Sequence, residues 1–475
     1  MGSTQGSTDL AVVGAGPGGY AAAFLAADLG LNVTLIDPEP NPGGVCLYRG
    51  CIPSKALLHM ARLIGEAREA ERWGVKFAKP RIDLDRLRSW KDGVVHKLTG
   101  GLGQLARKRR VRYTQGRAKL LGSGSLEIQT CGGASSRASF GSIVLATGSS
   151  SVRLPGLTGE SPRILDSTTA LQLTDIPGKL LVVGGGYIGL ELGSVYAALG
   201  SKVTVVEMTS GLLPGVDRDL VRPLARKLES AFEEILLDTR VARFEERQDG
   251  VRVTLEGTGV SKPERTFDRV LVSVGRRSNS ADLGLENTRA EAGKAGFVQV
   301  DTQLRTGEPG LSAIGDLVGQ PMLAHKASHE GRVAVEAIAG RQAAFAPAAI
   351  PAVVFTDPEI AWCGLTEEEA KRQGRKVKVA RFPWAASGRA LSMDRTEGVT
   401  KLLVDPETER ILGVGIAGSG AGEMIAEGVL AVEMAALATD LKLSIHPHPT
   451  LSETIMESAE VFFGQSTHVH RPRNT

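Results

Sequence analysis

One unit of strand, glycine turn, helix, strand and acid occurs twice in this 475-residue chain, the second copy 170 positions after the first. Leu10-Ala11-Val12-Val13 reads as a buried strand and leads into Gly14-Ala15-Gly16-Pro17-Gly18-Gly19, then an alanine-rich helix running to Gly30. A second strand, residues 32–36, ends in Asp37. The copy runs Leu180-Leu181-Val182-Val183, Gly184-Gly185-Gly186-Tyr187-Ile188-Gly189, a helix to Gly200, then Val203-Thr204-Val205-Val206 and Glu207. Gly14 and Gly184 permit the tight turn, and Gly16 and Gly186 let the backbone approach a pyrophosphate. Gly19 and Gly189 let helix and strand pack closely, and the helix N-terminus receives the negative charge. Asp37 and Glu207 would each accept hydrogen bonds from a ribose diol. A lone glycine fingerprint says little; two copies, each set between strand and helix and closed by an acid, are specific. The chain is therefore expected to be α/β, with two Rossmann-like domains holding two dinucleotides.

Between the two copies lies Gly43-Gly44-Val45-Cys46-Leu47-Tyr48-Arg49-Gly50-Cys51-Ile52-Pro53-Ser54-Lys55. Thiols five positions apart can close a small disulfide ring, which beside a flavin is a two-electron redox centre. In an undistorted helix their Cα atoms would stand about 8–9 Å apart, whereas a disulfide tolerates about 4.4–6.8 Å. Either Cys46 lies ahead of the regular helix or the first turn is distorted, with Gly43, Gly44 and Gly50 supplying the freedom. A helix N-terminus also favours the thiolate. The two other cysteines, Cys131 and Cys363, stand alone and are expected to be structural.

Position assigns the cofactors. The thiols follow the first copy, so the electron-accepting ring belongs there, and FAD is the natural choice. The second copy then holds a nicotinamide. Glu207 would repel a 2′-phosphate, and no Lys or Arg follows it until Arg218, which favours NAD over NADP.

A chain of this length is expected to hold about three or four domains. Glycine supplies 58 of its 475 residues, about 12% against a usual ~7%, much of the excess in nucleotide loops. A net charge of +3 gives no reason to expect nucleic acid. The run Arg107-Lys108-Arg109-Arg110 reads as the solvated end of a helix, with a docking patch for an acidic partner as its alternative. Four cysteines do not make a disulfide scaffold. Residues 1–8 lack the charged and apolar regions of a signal peptide, and no apolar run reaches membrane-spanning length. A cytoplasmic protein without a membrane segment or a metal site is the expectation.

Further along, Ser142-Ile143-Val144-Leu145-Ala146 runs into Thr147-Gly148, where a close-approach glycine would meet the first nucleotide again. Its counterpart in the second unit is Val270-Leu271-Val272-Ser273-Val274-Gly275-Arg276. Leu311-Ser312-Ala313-Ile314-Gly315-Asp316 is a strand ending in an acid suited to a ribityl hydroxyl, and a helix over 323–339, opening near Ala324, would aim its amides at the flavin pyrimidine. After Pro351 the texture changes to antiparallel strands at 353–355, 376–382, 399–404 and 411–416, with a largely buried helix over 424–438. This separate domain is either a lid or a dimerisation surface. Its tail carries His446-Pro447-His448-Pro449-Thr450-Leu451-Ser452-Glu453. From spacing alone this turn is as much a structural loop as a base. Disulfide chemistry must move protons with electrons, so the thiols upstream tip His448 towards the base, with Glu453 holding its tautomer.

From about Leu10 to Gly464 the chain resembles the flavoprotein disulfide reductases. Most specific are Gly50-Cys51-Ile52-Pro53-Ser54-Lys55-Ala56-Leu57, Gly186-Tyr187-Ile188-Gly189-Leu190-Glu191, Met322-Leu323-Ala324-His325-Lys326-Ala327 and His448-Pro449-Thr450-Leu451-Ser452-Glu453. Within that family it looks like the members that oxidise dihydrolipoyl groups. The resemblance implies two Rossmann-like dinucleotide-binding domains plus a C-terminal α+β dimerisation domain: residues 1–155 for FAD, 156–277 for NAD, 278–347 completing the FAD site, and 348–475 at the subunit interface. It implies an obligate homodimer in which the histidine serves the partner's flavin, and a lipoyl-bearing protein of a 2-oxo acid dehydrogenase or glycine cleavage complex as substrate. By the same resemblance Cys46 is the interchange thiol and Cys51 the charge-transfer thiolate, Lys55 pairs with Glu191 beside the flavin, and His448 is the base with Glu453 its partner. Gly44 and Ala118 approach FAD, and Val241 and Gly275 approach NAD. The chain departs at Val45, Tyr48 and Arg49, where relatives usually carry threonine, asparagine and a small apolar residue, and Pro447 replaces a common alanine. Rival readings are a reductase for another disulfide or a metal ion, and a non-catalytic FAD- and NAD-bound sensor. Relatives of the mercuric-reductase and large thioredoxin-reductase kind need extra C-terminal thiols that residues 461–475 lack, and a sensor needs neither thiols nor base.

Overall fold

The structure, a computed structural model, describes residues 8–152, 154 and 161–470. The polar opening up to Ser7, the expected boundary at 155/156 and residues 471–475 of the tail lie outside the described residues.

The first fingerprint opens a parallel sheet. Strand Thr8–Val13 lies between Val33–Asp37 and Ser135–Leu145, and the sheet extends to Arg112–Gly122 on one side and Leu311–Ala313 on the other. Strand Val33–Asp37 is buried throughout, as strands covered on both faces must be. One face is packed by helix Pro17–Asp28 and helix Ala324–Ile338, which share the core of Leu10, Val12, Ala22 and Ala334. An antiparallel meander of Arg112–Gly122, Ser125–Thr130 and Ser135–Leu145 covers the other.

The second fingerprint builds the same device. Strand Lys179–Val183 sits between Lys202–Val206 and Arg269–Val272 in a parallel sheet, again with an antiparallel three-stranded meander beside it. A short antiparallel pair, Ser149–Ser151 with Arg276–Ser278, links the two halves.

The remaining residues form a five-stranded antiparallel sheet in which Glu359–Gly364 lies between Ala352–Val354 and Ile411–Gly418, followed by Val399–Val404 and Lys378–Pro383. Strand Glu359–Gly364 goes beyond the sequence expectation. It is an interior strand whose Ile360, Ala361 and Cys363 are all buried, so it lacks the alternation that marks a half-buried strand. The helix expected over 424–438 also differs. It runs Ala421–Glu433, stops where Ala435 turns to φ 54°, and a second helix, Ala438–Leu443, follows. Its burial is one-sided: Leu430 is 62% and Met434 72% exposed. Cys363 is buried in this domain's core as expected, but Cys131 is exposed. The basic run ends helix Leu84–Lys108, with Arg107, Lys108 and Arg110 exposed; Arg109 instead reaches Asp28 at 2.9 Å and lies over the Phe24 ring.

Candidate active site

A cavity of about 830 Å³ runs along the first nucleotide unit, within the size range of small-molecule sites. Gly14, Gly16, Asp37, Gly44, Cys46, Cys51, Lys55, Ala118, Thr147, Gly148, Asp316 and Ala324 all line it. Glycines shape it by what they leave out. A Cβ on Gly19 would come 1.8 Å from the Gly14 carbonyl oxygen, so helix and turn touch there. A Cβ on Gly16 or Gly148 would meet nothing within 4 Å, so those backbones face open space. The Asp37 carboxylate is anchored by the amides of Ala15 at 2.6 Å and Glu39 at 2.9 Å. Burial pushes its carboxyl above the ordinary value, against the Ala15 amide and the charges of Arg49 and Arg117. A dinucleotide's pyrophosphate and ribose fit this combination of open glycine backbone, helix N-terminus and anchored acid.

The thiols stand on two helices. Cys46 belongs to the short helix Gly44–Arg49, and Cys51 opens helix Cys51–Glu69. The break is Gly50, whose Cβ would lie 2.8 Å from the Val45 carbonyl oxygen and 3.2 Å from the Cys46 Cα. Of the two geometric alternatives, Cys46 thus lies ahead of the regular helix. Both are free thiols, and their environments separate them. Hydrogen bonding from Cys46 pulls the Cys51 thiol down to about 7, helped by the Lys55 ammonium and opposed by burial. Interaction with Cys51, burial and the neighbouring thiolate charge push Cys46 far up. One cysteine holds the proton and the other releases it.

Lys55 Nζ reaches Glu191 Oε2 at 2.8 Å, and Ser54 Oγ donates to the same oxygen at 3.1 Å. Glu191 lies on helix Tyr187–Leu199, which belongs to the second fingerprint. The same helix places Tyr187 and Ile188 on the cavity wall, so the two nucleotide units meet beside the thiols. Tyr187, 41% exposed there, had only a place in a motif and no role. Ser149, Arg276 and Asn279 also line the cavity, and no sequence motif gives them a role. Arg276 donates to Ser149 Oγ at 2.8 Å and to its carbonyl at 2.6 Å, and Ser149 Oγ donates to Asp316. Only the strand ending at Arg276 hinted at this.

In the second unit Gly184 has φ 108°, a Cβ on Gly189 would come 2.3 Å from the Gly184 carbonyl oxygen, and Gly186 and Gly275 face open space. Glu207 accepts from the amides of Gly185 at 2.7 Å and Thr209 at 2.8 Å. Arg218 is committed elsewhere, donating to the carbonyls of Leu212, Leu213 and Val216. Val241 sits where the register of strand Thr239–Arg247 shifts against its neighbour.

The departures make contacts of their own. Tyr48 Oη bonds the backbone of Asn41, and Arg49 pairs with Glu39. Among the described residues, the one group with metal-like geometry, Asp217, Asp219 and Glu367, already surrounds the Lys401 ammonium at 2.6–2.7 Å.

His448 and Glu453 lie away from the cavity lining. They form a dyad, His448 Nδ1 to Glu453 Oε1 at 2.9 Å, with the imidazole 76% exposed. Glu453 Oε2 also accepts from the Thr450 amide at 2.8 Å. Burial opposes ionisation, yet this amide and the imidazole hold the Glu453 carboxyl below its ordinary value.

Comparison with known proteins identifies the family. The family model described as pyridine nucleotide-disulphide oxidoreductase matches residues 8–331, and that of the same family's dimerisation domain matches residues 350–459. The chain is 46% identical to a dihydrolipoyl dehydrogenase of Vibrio cholerae over 465 residues, covering 98% of each chain. It is 47% identical to one of Haemophilus influenzae, covering 98% of this chain and 97% of that one. The crystal structure of LpdA from Mycobacterium tuberculosis superposes with a TM-score of 0.89 at 26% identity, over 95% of this chain and 99% of that one.

Proposed function

Because the chain belongs to the pyridine nucleotide-disulphide oxidoreductase family, we propose that it oxidises protein-bound dihydrolipoyl groups with NAD, through FAD and the Cys46–Cys51 pair. It is an enzyme of the dihydrolipoyl dehydrogenase kind, on the strength of full-length relatives of that name. The observation that carries the mechanism is the placement of the two thiols on the cavity wall, Cys51 opening helix Cys51–Glu69 with the Cys46 hydrogen bond and the Lys55 ammonium drawing its thiol down, and Cys46 ahead of it across the break at Gly50.

When bound, FAD supplies a two-electron acceptor between the dithiol and the nicotinamide. The chain's own residues do the rest. In the oxidised enzyme a lipoyl thiolate attacks the Cys46 sulfur, and Cys51 leaves as the better leaving group because its thiolate is the more stable. The second lipoyl thiol then displaces Cys46, whose high proton affinity makes it the thiol released protonated. His448 takes the proton from the lipoyl thiol, with Nδ1 held by Glu453 and Nε2 left to face the substrate. Lys55 and Glu191 fix the charge beside Cys51. The open Gly16 backbone and the N-terminus of helix Pro17–Asp28 would take the FAD pyrophosphate, and Gly186 with the N-terminus of helix Tyr187–Leu199 that of NAD.

His448 lies off the cavity of its own chain, and the dimerisation-domain match spans it. The complete site is therefore read as shared between two copies, with Cys46, Cys51 and Lys55 from one and His448 and Glu453 from the other. The substrate protein would be a lipoylated subunit of a 2-oxo acid dehydrogenase or glycine cleavage complex, and the protein would work in the cytoplasm. No described helix is long and apolar enough to cross a membrane.

Two variants test the reading. Cys46→Ser should stop dihydrolipoyl turnover yet keep FAD and a thiolate-to-flavin charge-transfer band, and Cys51→Ser should abolish the band. Substantial dihydrolipoamide oxidation by Cys46→Ser would refute the assignment.

A further inference from the structure

Glu191 has a third partner besides Lys55 and Ser54, and it comes from the C-terminal domain. The Phe355 amide donates to Glu191 Oε1 at 3.0 Å. The Phe355 ring in turn carries the Lys55 ammonium 4.5 Å from its centroid. Phe355 immediately follows strand Ala352–Val354, which is pinned in the antiparallel sheet by pairing with Glu359–Gly364. Val354 beneath it packs in one core with Leu57 and Leu58 of the cysteine helix and Leu190 and Leu192 of the Glu191 helix. Phe355 thus grips both members of the ion pair, one through the backbone and one through the ring face.

The grip has an electrostatic consequence. Glu191 is buried, at 3% exposure, whereas Lys55 is 32% exposed. A long flexible ammonium so placed would exchange Glu191 for water unless something else held it, and an aromatic face does that without competing for the carboxylate. The two carboxylate oxygens are also divided. Oε2 takes Lys55 and Ser54, and Oε1 takes Phe355, so the carboxylate cannot rotate without losing a partner.

We propose that Phe355 is a positioning residue for the thiol centre: its ring and amide together fix Lys55 and Glu191, so that the C-terminal domain sets the charge beside Cys51. The inference rests on the redox reading of Cys46 and Cys51. It goes beyond that reading by giving a residue of the third domain, outside every motif of the site, a measurable part in thiolate stability. Lys55 stabilises the Cys51 thiolate and Glu191 opposes it. Releasing Lys55 weakens the first effect and leaves the second less compensated, so both changes act in one direction.

The test is a pH titration of the charge-transfer band in the two-electron-reduced, FAD-loaded dimer. Phe355→Leu and Phe355→Met, which keep an apolar side chain but remove the ring, should raise the midpoint by roughly half a pH unit. Phe355→Tyr, which keeps the ring face, should titrate like the parent. In Lys55→Met the midpoint should rise on its own, and adding Phe355→Leu should raise it no further, since the effect passes through Lys55. A purely structural Phe355 would lower the melting temperature while leaving the midpoint in place. That result in both the Leu and Met variants, or full additivity with Lys55→Met, overturns the proposal. If the parent enzyme itself gave no band, the thiolate reading would fall, and the inference with it.

Discussion

Glu207 receives the Gly185 amide at 2.7 Å, the same bond that Asp37 makes with Ala15 at 2.6 Å, each acid standing 22 positions after its amide. In both copies the acid's other oxygen takes the amide two residues further on. The acid is thus fixed in place at the end of its strand, a negative charge where a 2′-phosphate would have to sit. Arg218, the first basic residue after Glu207, has its guanidinium spent on three carbonyls.

NAD should accordingly be preferred over NADP by about 1–3 kcal/mol, the cost of losing a hydrogen bond and burying an unpaired group. Comparing kcat/KM for the two cofactors measures it. Equal efficiency with NADP would sink the ribose-diol reading.

Gly16 separates folding from cofactor binding. Its backbone is extended, φ −68° and ψ −176°, and open to any residue, and an added Cβ meets no atom within 4 Å. Gly16→Val should fold with an unaltered circular dichroism spectrum but bind FAD at least roughly tenfold more weakly, because the side chain would stand where the pyrophosphate approaches. At Gly19 the Cβ would strike the Gly14 carbonyl, so Gly19→Val should disturb folding itself. A Gly16→Val protein that retained FAD like the parent would show that the pyrophosphate lies elsewhere.

What could be read in advance was what is local. Each fingerprint is one unbroken segment whose glycines answer to contacts within a few residues, and Cys46 and Cys51 are separated by a single helix break at Gly50. What escaped was set by distant packing. Strand Glu359–Gly364 is buried on both faces by partners far along the chain, so no alternation announced it. Arg276 finds Ser149 across 127 positions, and Phe355 finds Glu191 across 164. The exposure of Leu430 and Met434 is not legible in the sequence, because an apolar helix face looks the same whether a core or a second subunit is to cover it.

Lys401 clamps the second nucleotide unit to the C-terminal domain. Only 1% exposed, its ammonium meets Asp217, Asp219 and Glu367. Lys401→Met should cost about 3–5 kcal/mol, since it strands the buried Asp217 carboxylate while Asp219 and Glu367 keep Arg381, and denaturant unfolding would show it. Burial opposes the ionisation of Asp219, but Lys401 and Arg381 prevail and hold it below its ordinary value. A depressed carboxyl contributes stability that is fully present above about pH 4, its unfolded value, and is lost as pH falls through the folded value. The melting temperatures of the parent and Asp219→Asn should therefore differ above pH 4 and converge below it. A constant difference across that window would show that the charge on Asp219 is not what stabilises.

His448 stands 76% exposed on its dyad with Glu453, away from the cavity that holds the thiols. If the base of one copy serves the thiols of the other, activity requires the dimer, and an isologous pair builds two equivalent sites. Subunit mixing decides it. Cys46→Ser and His448→Ala homodimers should each be inactive, so any activity after exchange must come from heterodimers. With the base acting in trans, one heterodimer site joins the serine chain's thiol lesion to the alanine chain's missing base. The other site is intact, and a heterodimer should therefore show about half the parent activity, from one working site of two. With the base acting in cis, each site keeps one lesion and mixing restores nothing. Inactivity in a preparation whose heterodimers have been isolated by differential tags would refute the shared site.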